Sequence, residues 1–495
     1  MRSRACSHAI VVLLALGGLI GNRVCAQVPA LQSPEPLGKP RPSSEPPDKQ
    51  TDKKKEDADK KKNGEKNGKE DDQENKEDKE KKDEEEDKRY SIHAQNTLVS
   101  QGNSRFHSPY VGPNSLLPEE NLRMSDTTTL FLGTRLWDGG ELYFNPEVAG
   151  GRGLSDVHGM AGFPNGEITR VGKPEPTPYI ARLFLRQTFG LGGGTEDVED
   201  GPNQLAGTRD RRRLTFIVGK MAATDYLDNN KYSNDPRTQF LNWSLMYNGA
   251  WDYPANVRGY TYGGVADLTL CDWSFRYGIF AEPNEANGSA FDRHILDANG
   301  QFWEAERRFE VNEHPGKIHV FGYLNHAHMG NYRESLALSP VDPDITQTRA
   351  YRFKYGFGVN LEQEITADLG AFFRAGWNDG HSESWAFTEI DRTVTFGALL
   401  KGSEWRRPQD QVGLAFAFNG ISGPHRDYLA AGGLGFILGD GALNYSPEII
   451  METFYNWELR KFLSVTLDYQ CGFNPGYNAD RGPVSIGALR VHLAF

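Results

Sequence analysis

Short segments of the chain after Tyr90 alternate between polar and apolar residues. In LRVHLAF, residues 489–495, one face would carry Leu489, Val491, Leu493 and Phe495, and the other Arg490 and His492. Successive side chains of a β-strand point to opposite faces, so this period of two predicts a strand with one apolar and one polar side. The same pattern recurs in GELYFNPEV, ADLGAFFRAGW, PEIIMETFYNWEL and FLSVTLDYQC.

The length and the ends of these segments favour a membrane barrel over a soluble sandwich. The segments run to about 10–13 residues, which suits a tilted membrane crossing. Their apolar faces repeatedly end in an aromatic residue, as the interfacial girdles of membrane barrels require. These aromatic residues are Trp137, Trp273, Trp377, Trp457, Tyr469 and Phe495. The pattern predicts an all-β fold, a transmembrane antiparallel β-barrel.

The number of segments predicts the size of the barrel. About fifteen clear segments lie between Thr127 and Phe495, and QFLNWSLMYN at 239–248 is a weaker sixteenth. Bacterial barrels close with even strand numbers, so we expect about 16 strands and a barrel wide enough for an aqueous channel. Residues 127–495 would form the barrel, and 90–126 would lead into it.

The chain begins with the features of an export signal. Arg2 and Arg4 precede the apolar core AIVVLLALGGLI, which is too short to span a bilayer, and small residues follow up to Ala26. We therefore expect residues 1–26 to be a signal peptide that is cleaved after Ala26.

Residues 27–89 differ sharply from the rest. A Pro-rich stretch is followed by a run composed almost wholly of Lys, Glu, Asp, Asn and Gly. Such a segment has no apolar side chains to bury, so we expect it to be disordered. Two interpretations stay open: a solvated tether, or a spacer that contacts peptidoglycan or another periplasmic partner.

Composition alone would suggest a soluble secreted protein. The 495 residues carry a formal net charge of −12, and the mean hydropathy is −0.61. Hydropathy averages do not register membrane barrels, because lumen-facing residues dilute the apolar ones. We expect no nucleic-acid partner.

Signatures of an enzyme are absent from the sequence. It contains no G-x-S-x-G elbow, no H-E-x-x-H and no Cys/His metal spacing. His326 and His328 lie two residues apart on one strand face and would need a third ligand to hold a metal. We therefore expect no enzymatic activity, no cofactor and no metal.

Several longer blocks resemble the carbohydrate-selective porins of the OprB type. Among them are LWDGGELYFNPE, FLNWSLMYNGAWDYPAN and NADRGPVSIGALRVHLAF, and the resemblance runs in order from about Ile92 to Phe495. It implies a 16-stranded outer-membrane barrel that passes monosaccharides and related small polar solutes by diffusion. The charged tether is no part of this pattern.

Passage of a sugar makes demands that single residues can meet. Arginine and carboxylate groups both bind hydroxyls while their fields partly cancel, and aromatic faces suit C–H surfaces. A loop folded into the lumen could narrow the channel. The candidate channel residues are Arg135, Glu141, Arg182, Arg186, Lys220, Asp225, Asp228, Asn242, Trp243, Trp251 and Asp252. Alternatively, the charges only solvate the wall, and Trp243 and Trp251 are packing or girdle residues.

The expected function is therefore passive, selective diffusion of carbohydrates through an outer-membrane porin. The partners would be outer-membrane lipid and small sugars, and the assembly a monomer or a homotrimer. Two alternatives stay open: a secreted carbohydrate-binding or carbohydrate-cleaving β-protein, and a porin for small anionic solutes.

Overall fold

A computed structural model describes residues 89–169 and 174–495 of the chain. The predicted signal peptide, 1–26, and the charged tether up to residue 88 lie outside the described residues.

The described residues form eighteen strands and a few short helices. The strands are β1 (Tyr90–Asn103), β2 (Glu120–Trp137), β3 (Gly140–Gly151), β4 (Thr177–Gly190), β5 (Thr195–Val198), β6 (Gly207–Asp210), β7 (Arg213–Met221), β8 (Thr261–Leu270), β9 (Trp273–Ala281), β10 (Asn299–Val311), β11 (His314–Met329), β12 (Ala350–Glu364), β13 (Leu369–Asn378), β14 (Arg392–Gly402), β15 (Arg407–Gly420), β16 (Glu448–Arg460), β17 (Leu463–Phe473) and β18 (Val484–Ala494). The α-helices are α1 (Trp243–Met246), α2 (Tyr332–Leu338) and α3 (Gly423–Ala430), and 3-10 turns span Leu154–Asp156, Ala223–Asp225, Ile345–Thr348, Ser403–Trp405 and Pro475–Tyr477.

Sixteen of these strands close into one antiparallel barrel. Each pairs with its neighbour in the chain, β4 pairs with β7, and β1 closes the ring by pairing with β18, with Leu98 opposite Val491. Strands β5 and β6 form a separate two-stranded hairpin. Closure leaves no unpaired sheet edge, which is the condition for crossing lipid with strands. The predicted fold class and strand number are confirmed, and the soluble sandwich is excluded.

The predicted start of the barrel is wrong. Strand β1 lies in the 90–126 segment that was expected only to lead into the barrel, and β2 already begins at Glu120. The weak strand expected at 239–248 does not form; those residues belong to a long connection that contains α1. The missed strand β1 and the strand wrongly expected at 239–248 offset each other, so the predicted number of sixteen is still right. Strand β1 was missed because its outward face mixes Asn96 and Ser100 with apolar residues, which weakens the alternation.

The two faces of the strands divide as the alternation predicts. On β12, the side chains of Tyr351, Phe353 and Phe357 are exposed on the outer surface, while Lys354 and Asn360 are buried toward the lumen. On β18, Arg490 and His492 point inward, and the ring of Phe495 stacks on Phe462 at the outer surface with the ring centroids 5.4 Å apart. Among the described residues, no helix has the length and hydropathy needed to span a bilayer.

The two ends of the barrel differ in their connections. At the end that holds Tyr90 and Phe495, six of the seven connections contain two to four residues; at the other end all are longer. Bacterial outer-membrane barrels have short periplasmic turns and long outer loops, so the short-turn end is the periplasmic one. The exception at this end is the connection 191–212 between β4 and β7.

Candidate functional site: the lumen wall and its inserted loop

The connection between β7 and β8, residues 222–260, lies inside the barrel. The backbone N–H groups of Leu241 and Asn242 donate to the Glu452 carboxylate of β16, at 2.5 and 3.0 Å. The Arg374 guanidinium of β13 donates to the carbonyls of Leu245 and Ser233, at 3.0 and 2.7 Å. Irregular backbone is tolerated at membrane depth where it lines or fills a lumen. The segment therefore packs against the lumen-facing side chains of β13 and β16.

A buried ion pair anchors the second half of this loop. The Lys354 ammonium of β12 lies 3.0 Å from Asp252 Oδ2, and both side chains are nearly inaccessible to water. The same carboxylate accepts the backbone N–H groups of Trp385, Ala386 and Phe387, at 2.7, 2.8 and 3.2 Å. Asp252 therefore joins the inserted loop both to the wall and to the outer connection 379–391.

Asp228 and Asn242 hold the first half of the loop. Asp228 Oδ1 accepts from the Asn360 amide at 2.8 Å, and its Oδ2 accepts the backbone N–H of Asn248 at 2.6 Å. The Asn242 amide donates to the Gln470 side chain at 3.0 Å, and its oxygen caps α1. These contacts consume the polar atoms of both side chains, and both side chains are fully buried.

The two predicted tryptophans pack rather than face water. The ring of Trp251 lies 4.3 Å from that of Phe302, between centroids, on the lumen side of β10. Trp243 packs edge-on against Phe163, and its indole N–H donates to the Asn165 carbonyl at 2.9 Å. Both occupy the packing role that the sequence left open as an alternative.

Lys220 does not line the lumen, contrary to the prediction. It lies on the face of β7 that carries the exposed Phe216 and Val218, directly opposite Tyr262 of β8. Its ammonium lies 5.6 Å from the centre of the exposed Tyr262 ring. The sequence assigned Lys220 to an irregular loop, whereas β7 continues to Met221 and its parity turns the side chain outward.

A row of charges crosses β2, β3 and β4 near the periplasmic end. The strand register places Arg135 opposite Glu141 and Glu141 opposite Arg186. Nη1 of Arg186 lies 3.4 Å from Glu141 Oε2 and donates to the Tyr143 hydroxyl at 3.2 Å. Oppositely charged side chains on neighbouring strands stabilise the pairing and hold each other in position.

A second pair lies above this row, toward the outer end. The Arg182 guanidinium of β4 binds both carboxylate oxygens of Asp225 in the inserted loop, at 2.7 and 2.6 Å. It also lies 5.1 Å from the centre of the Tyr260 ring. A two-point contact of this kind fixes the guanidinium plane. Arg182 therefore joins the barrel wall to the loop at the water-accessible side.

A third cluster surrounds Glu147 and includes residues that the sequence did not single out as channel residues. Glu147 accepts the hydroxyls of Tyr260, at 3.0 Å, and Tyr179, and its Oε2 lies 3.4 Å from Arg237 Nη2. The Arg258 guanidinium lies 4.0 Å from the centre of the Tyr179 ring. Arg237 and Arg258 lie in the irregular loop 222–260, where no alternation in the sequence indicates which side chains face the lumen.

Simple alternation along β4 would place Tyr179 on the outer face. The pairing of β3 with β4 shifts register between Asn145 and Pro146, so Tyr179 and Arg182 both reach the lumen although simple alternation puts them on opposite faces. A β-bulge of this kind re-aims side chains and leaves no clear trace in the pattern.

Accessibility separates the predicted residues into two groups. The side chains of Arg182, Asp225, Arg186 and Glu141 keep 15–21% of their surface exposed. Those of Asp252 and Asp228 keep 2% and 0%. Water in the lumen therefore reaches the β2–β4 wall and Asp225, whereas Asp228 and Asp252 of the same loop are shielded from it.

Another charged network lines β8 to β12. Arg276 Nη1 donates to Glu304 and Glu306, at 2.6 and 2.8 Å, and its Nε donates to Asp267 at 2.9 Å. Glu304 and Glu306, with His319, are the one group in the described residues whose ligand atoms lie close enough together to hold a metal ion. Their oxygens already accept from Arg276, so the geometry favours an ion-paired wall. His326 and His328 instead face outward, where the ring of His326 stacks on that of Phe353.

Outer loops are tied together at the opposite end of the barrel. The Asp391 carboxylate accepts the backbone N–H of Ser422 at 2.8 Å and lies 3.0 Å from Nδ1 of His425. Burial alone would raise the pKa of Asp391, but the neighbouring His425 holds that pKa below its usual value. This contact fixes α3 to the loop that precedes β14.

These features define the class of the protein. A closed barrel with an apolar outer surface and a charged lumen, narrowed by an inserted loop, is a diffusion channel of the outer membrane, that is, a porin. A porin is a channel and not an enzyme.

Comparison with known proteins identifies the family. Residues 126–495 match the model of the carbohydrate-selective porin, OprB family, and the chain belongs to that family. The high-pH structure of Pseudomonas putida OprB is similar, with a TM-score of 0.63 and 17% identity over 82% of this chain and 94% of that one. Porin AaxA of Chlamydia muridarum is 22% identical over 340 residues, 64% of this chain, so the chain spans 62% of the length of that curated relative.

Proposed function

We propose that the barrel passes small neutral carbohydrates, monosaccharides first, by passive diffusion past the β2–β4 wall. The observation that carries this proposal is the pairing of guanidinium and carboxylate groups on the accessible side of the lumen. Arg182 with Asp225 and Arg186 with Glu141 offer donors and acceptors within one short stretch of wall. Sugar hydroxyls need both kinds of partner.

Aromatic rings complete the wall. Tyr143 lies under the Arg186 guanidinium, with 4.9 Å between the guanidinium carbon and the ring centre, and Tyr260 is placed similarly under Arg182. Both rings are nearly buried, at 1% and 7% exposure, so they support the guanidinium planes from below and leave the charged groups to bind hydroxyls. Each contact is weak enough for release, which conduction requires.

Charge pairing favours neutral solutes over anions. Each arginine of these two pairs already faces a carboxylate, so its field at the lumen axis is partly cancelled. An anionic sugar acid would have to compete with Asp225 for Arg182. We therefore expect neutral sugars to pass faster than sugar acids, and faster passage of the sugar acid would indicate an anion channel.

The proposal is tested by solute entry into liposomes that carry the purified, refolded protein. We expect glucose to enter faster than a neutral amino acid of similar size and faster than a sugar acid. Rates ranked only by size would show a general diffusion pore, and a faster sugar acid would show an anion channel. Either result contradicts the proposal.

A substitution at the wall links the preference to the site. We expect Arg182→Ala to bring the glucose rate toward that of the size-matched amino acid and to increase cation selectivity, because Asp225 loses its partner. Arg426→Ala is the matched control: Arg426 lies exposed on α3 and pairs with its neighbour Asp427 at 2.9 Å. Equal effects of the two substitutions would contradict the assignment. Membrane potential at zero current gives the ion selectivity.

A further inference from the structure

One connection at the periplasmic end is unlike the others there. Residues 191–212 join β4 to β7 and contain the β5–β6 hairpin, where the other connections at this end have two to four residues. Short turns are the rule at the periplasmic end of such barrels. The connection 191–212 is therefore unusually long for its end of the barrel.

The tip of this hairpin enters the lumen. Leu205 and Ala206 are only 3% and 9% exposed, and Leu205 belongs to the same apolar cluster as the lumen-facing Tyr143 and Phe184. Burial of an apolar side chain against the inner wall holds the tip inside the barrel.

The tip also binds the charged row of the wall. Nη2 of Arg135 donates to the Ala206 carbonyl at 2.9 Å, and Nη1 of Arg186 donates to the Asn203 carbonyl at 3.2 Å. On β1, His93 Nε2 lies 3.4 Å from the Asp200 carboxylate. The tip therefore reaches from β4 past β3 and β2 to β1 and covers the periplasmic side of that wall.

The stem of the hairpin combines a bend with a fixed arm. Gly192, Gly193 and Gly194 have φ angles of 74°, 87° and 83°, a left-handed run that only glycine adopts at little cost. The arm beyond them is held by Glu196, whose Oε1 accepts from Arg209 at 2.8 Å and from Arg213 at 3.0 Å. The glycine run turns the arm back toward the lumen.

We propose that the hairpin 191–212 is a second selectivity element, which narrows the periplasmic exit and sets the largest solute that passes. Its carbonyls at Asn203 and Ala206 occupy donors of Arg186 and Arg135 that would otherwise be offered to solute hydroxyls. The narrowing of the exit does not depend on which solute the channel prefers. Only the statement that it limits the size of the sugars that pass rests on the proposed function.

A loop deletion tests this proposal. Residues 192–211 are replaced by Asn-Gly, a two-residue hairpin turn, in the otherwise complete protein. We expect the single-channel conductance, and the rate of disaccharide entry relative to glucose, to rise about twofold, because the narrowest part of a pore dominates its resistance. Unchanged conductance and an unchanged rate ratio would overturn the proposal.

A point substitution covers the case in which the deletion variant does not refold. Leu205→Asp keeps the length of the hairpin and makes its burial in the apolar cluster unfavourable. We expect the single-channel conductance and the relative rate of disaccharide entry to rise, but by less than in the deletion variant. Leu296→Asp is the control, because Leu296 is 89% exposed in the outer connection 282–298 and should leave both measurements unchanged. Identical behaviour of the two substitutions would also overturn the proposal.

The two proposals fail in different ways. If the unaltered protein showed no preference for glucose over a size-matched amino acid, the proposed function would fail, while the conductance of the deletion variant would still report on the exit. If the preference held and the deletion changed nothing, only the exit filter would fail.

Discussion

The face that a side chain occupies decides the consequence of changing it. On β11, Val320 is 57% exposed on the outer surface, while its neighbours His319 and Phe321 are 1% and 3% exposed inside the barrel. Val320 lies between Ala305 and Val359 of the adjacent strands, all apolar. It therefore belongs to the band of the barrel that contacts hydrocarbon.

A charge at this position should destabilise the barrel in lipid. We expect Val320→Arg to lower the free energy of unfolding from liposomes by about 2–4 kcal/mol, the cost of a basic side chain near the bilayer midplane. His328→Arg lies on the same face of the same strand next to the outer end, so its cost should be about 0–1 kcal/mol. Urea titrations followed by tryptophan fluorescence measure both. Equal losses would contradict the assignment of the outer face.

At the scale of elements, the inserted loop 222–260 depends on buried polar contacts rather than on local propensity. Its one α-helix, α1, spans four residues, and the loop is held by Asp228, Asp252 and the wall groups that bind them. Removing one member of a buried pair leaves the other charge without compensation. The position of the loop should therefore respond strongly to a single substitution.

We expect Asp252→Asn to destabilise the loop by about 3–5 kcal/mol, because Lys354 keeps its charge in a site that excludes water. The barrel itself should stay folded, since its strands remain paired. The expected readouts are larger and noisier single-channel currents and faster proteolysis within 222–260. The double variant Asp252→Leu with Lys354→Met removes both charges and should be less affected. If the single and double variants behaved alike, the ion pair would not be what holds the loop.

Alternation along the chain predicts the regular elements well and the irregular ones poorly. Strands with lipid on one side and water on the other, such as β12 and β18, repeat every two residues and could be recognised. Strand β1 could not, because polar residues occur on both of its faces, and the bulge in β4 hides the inward orientation of Tyr179 from any reading by alternation. The candidate site shows the same division. Its wall residues Arg182 and Arg186 follow from parity, whereas the partners that the inserted loop brings to the wall depend on tertiary contacts between distant segments.

At the scale of the whole molecule, the barrel is complete without the charged tether. The backbone N–H of Arg135 donates to the Arg89 carbonyl at 2.9 Å, and β1 begins at the next residue, Tyr90. Every strand of the barrel, including both partners of β1, lies after this point. The tether precedes the barrel at the periplasmic end and has almost no apolar residues for packing against it.

Removal of residues 27–88 should therefore leave the channel intact. We expect the shortened protein to refold with the same single-channel conductance and the same preference among solutes, since no strand or wall residue is lost. Sedimentation with peptidoglycan separates the two interpretations of the tether. Equal sedimentation of full-length and shortened protein would indicate a solvated tether, while loss of binding in the shortened form would indicate a periplasmic contact. A changed conductance would show instead that the charged segment reaches the channel exit, next to the hairpin 191–212. The tether and the hairpin would then form the exit together.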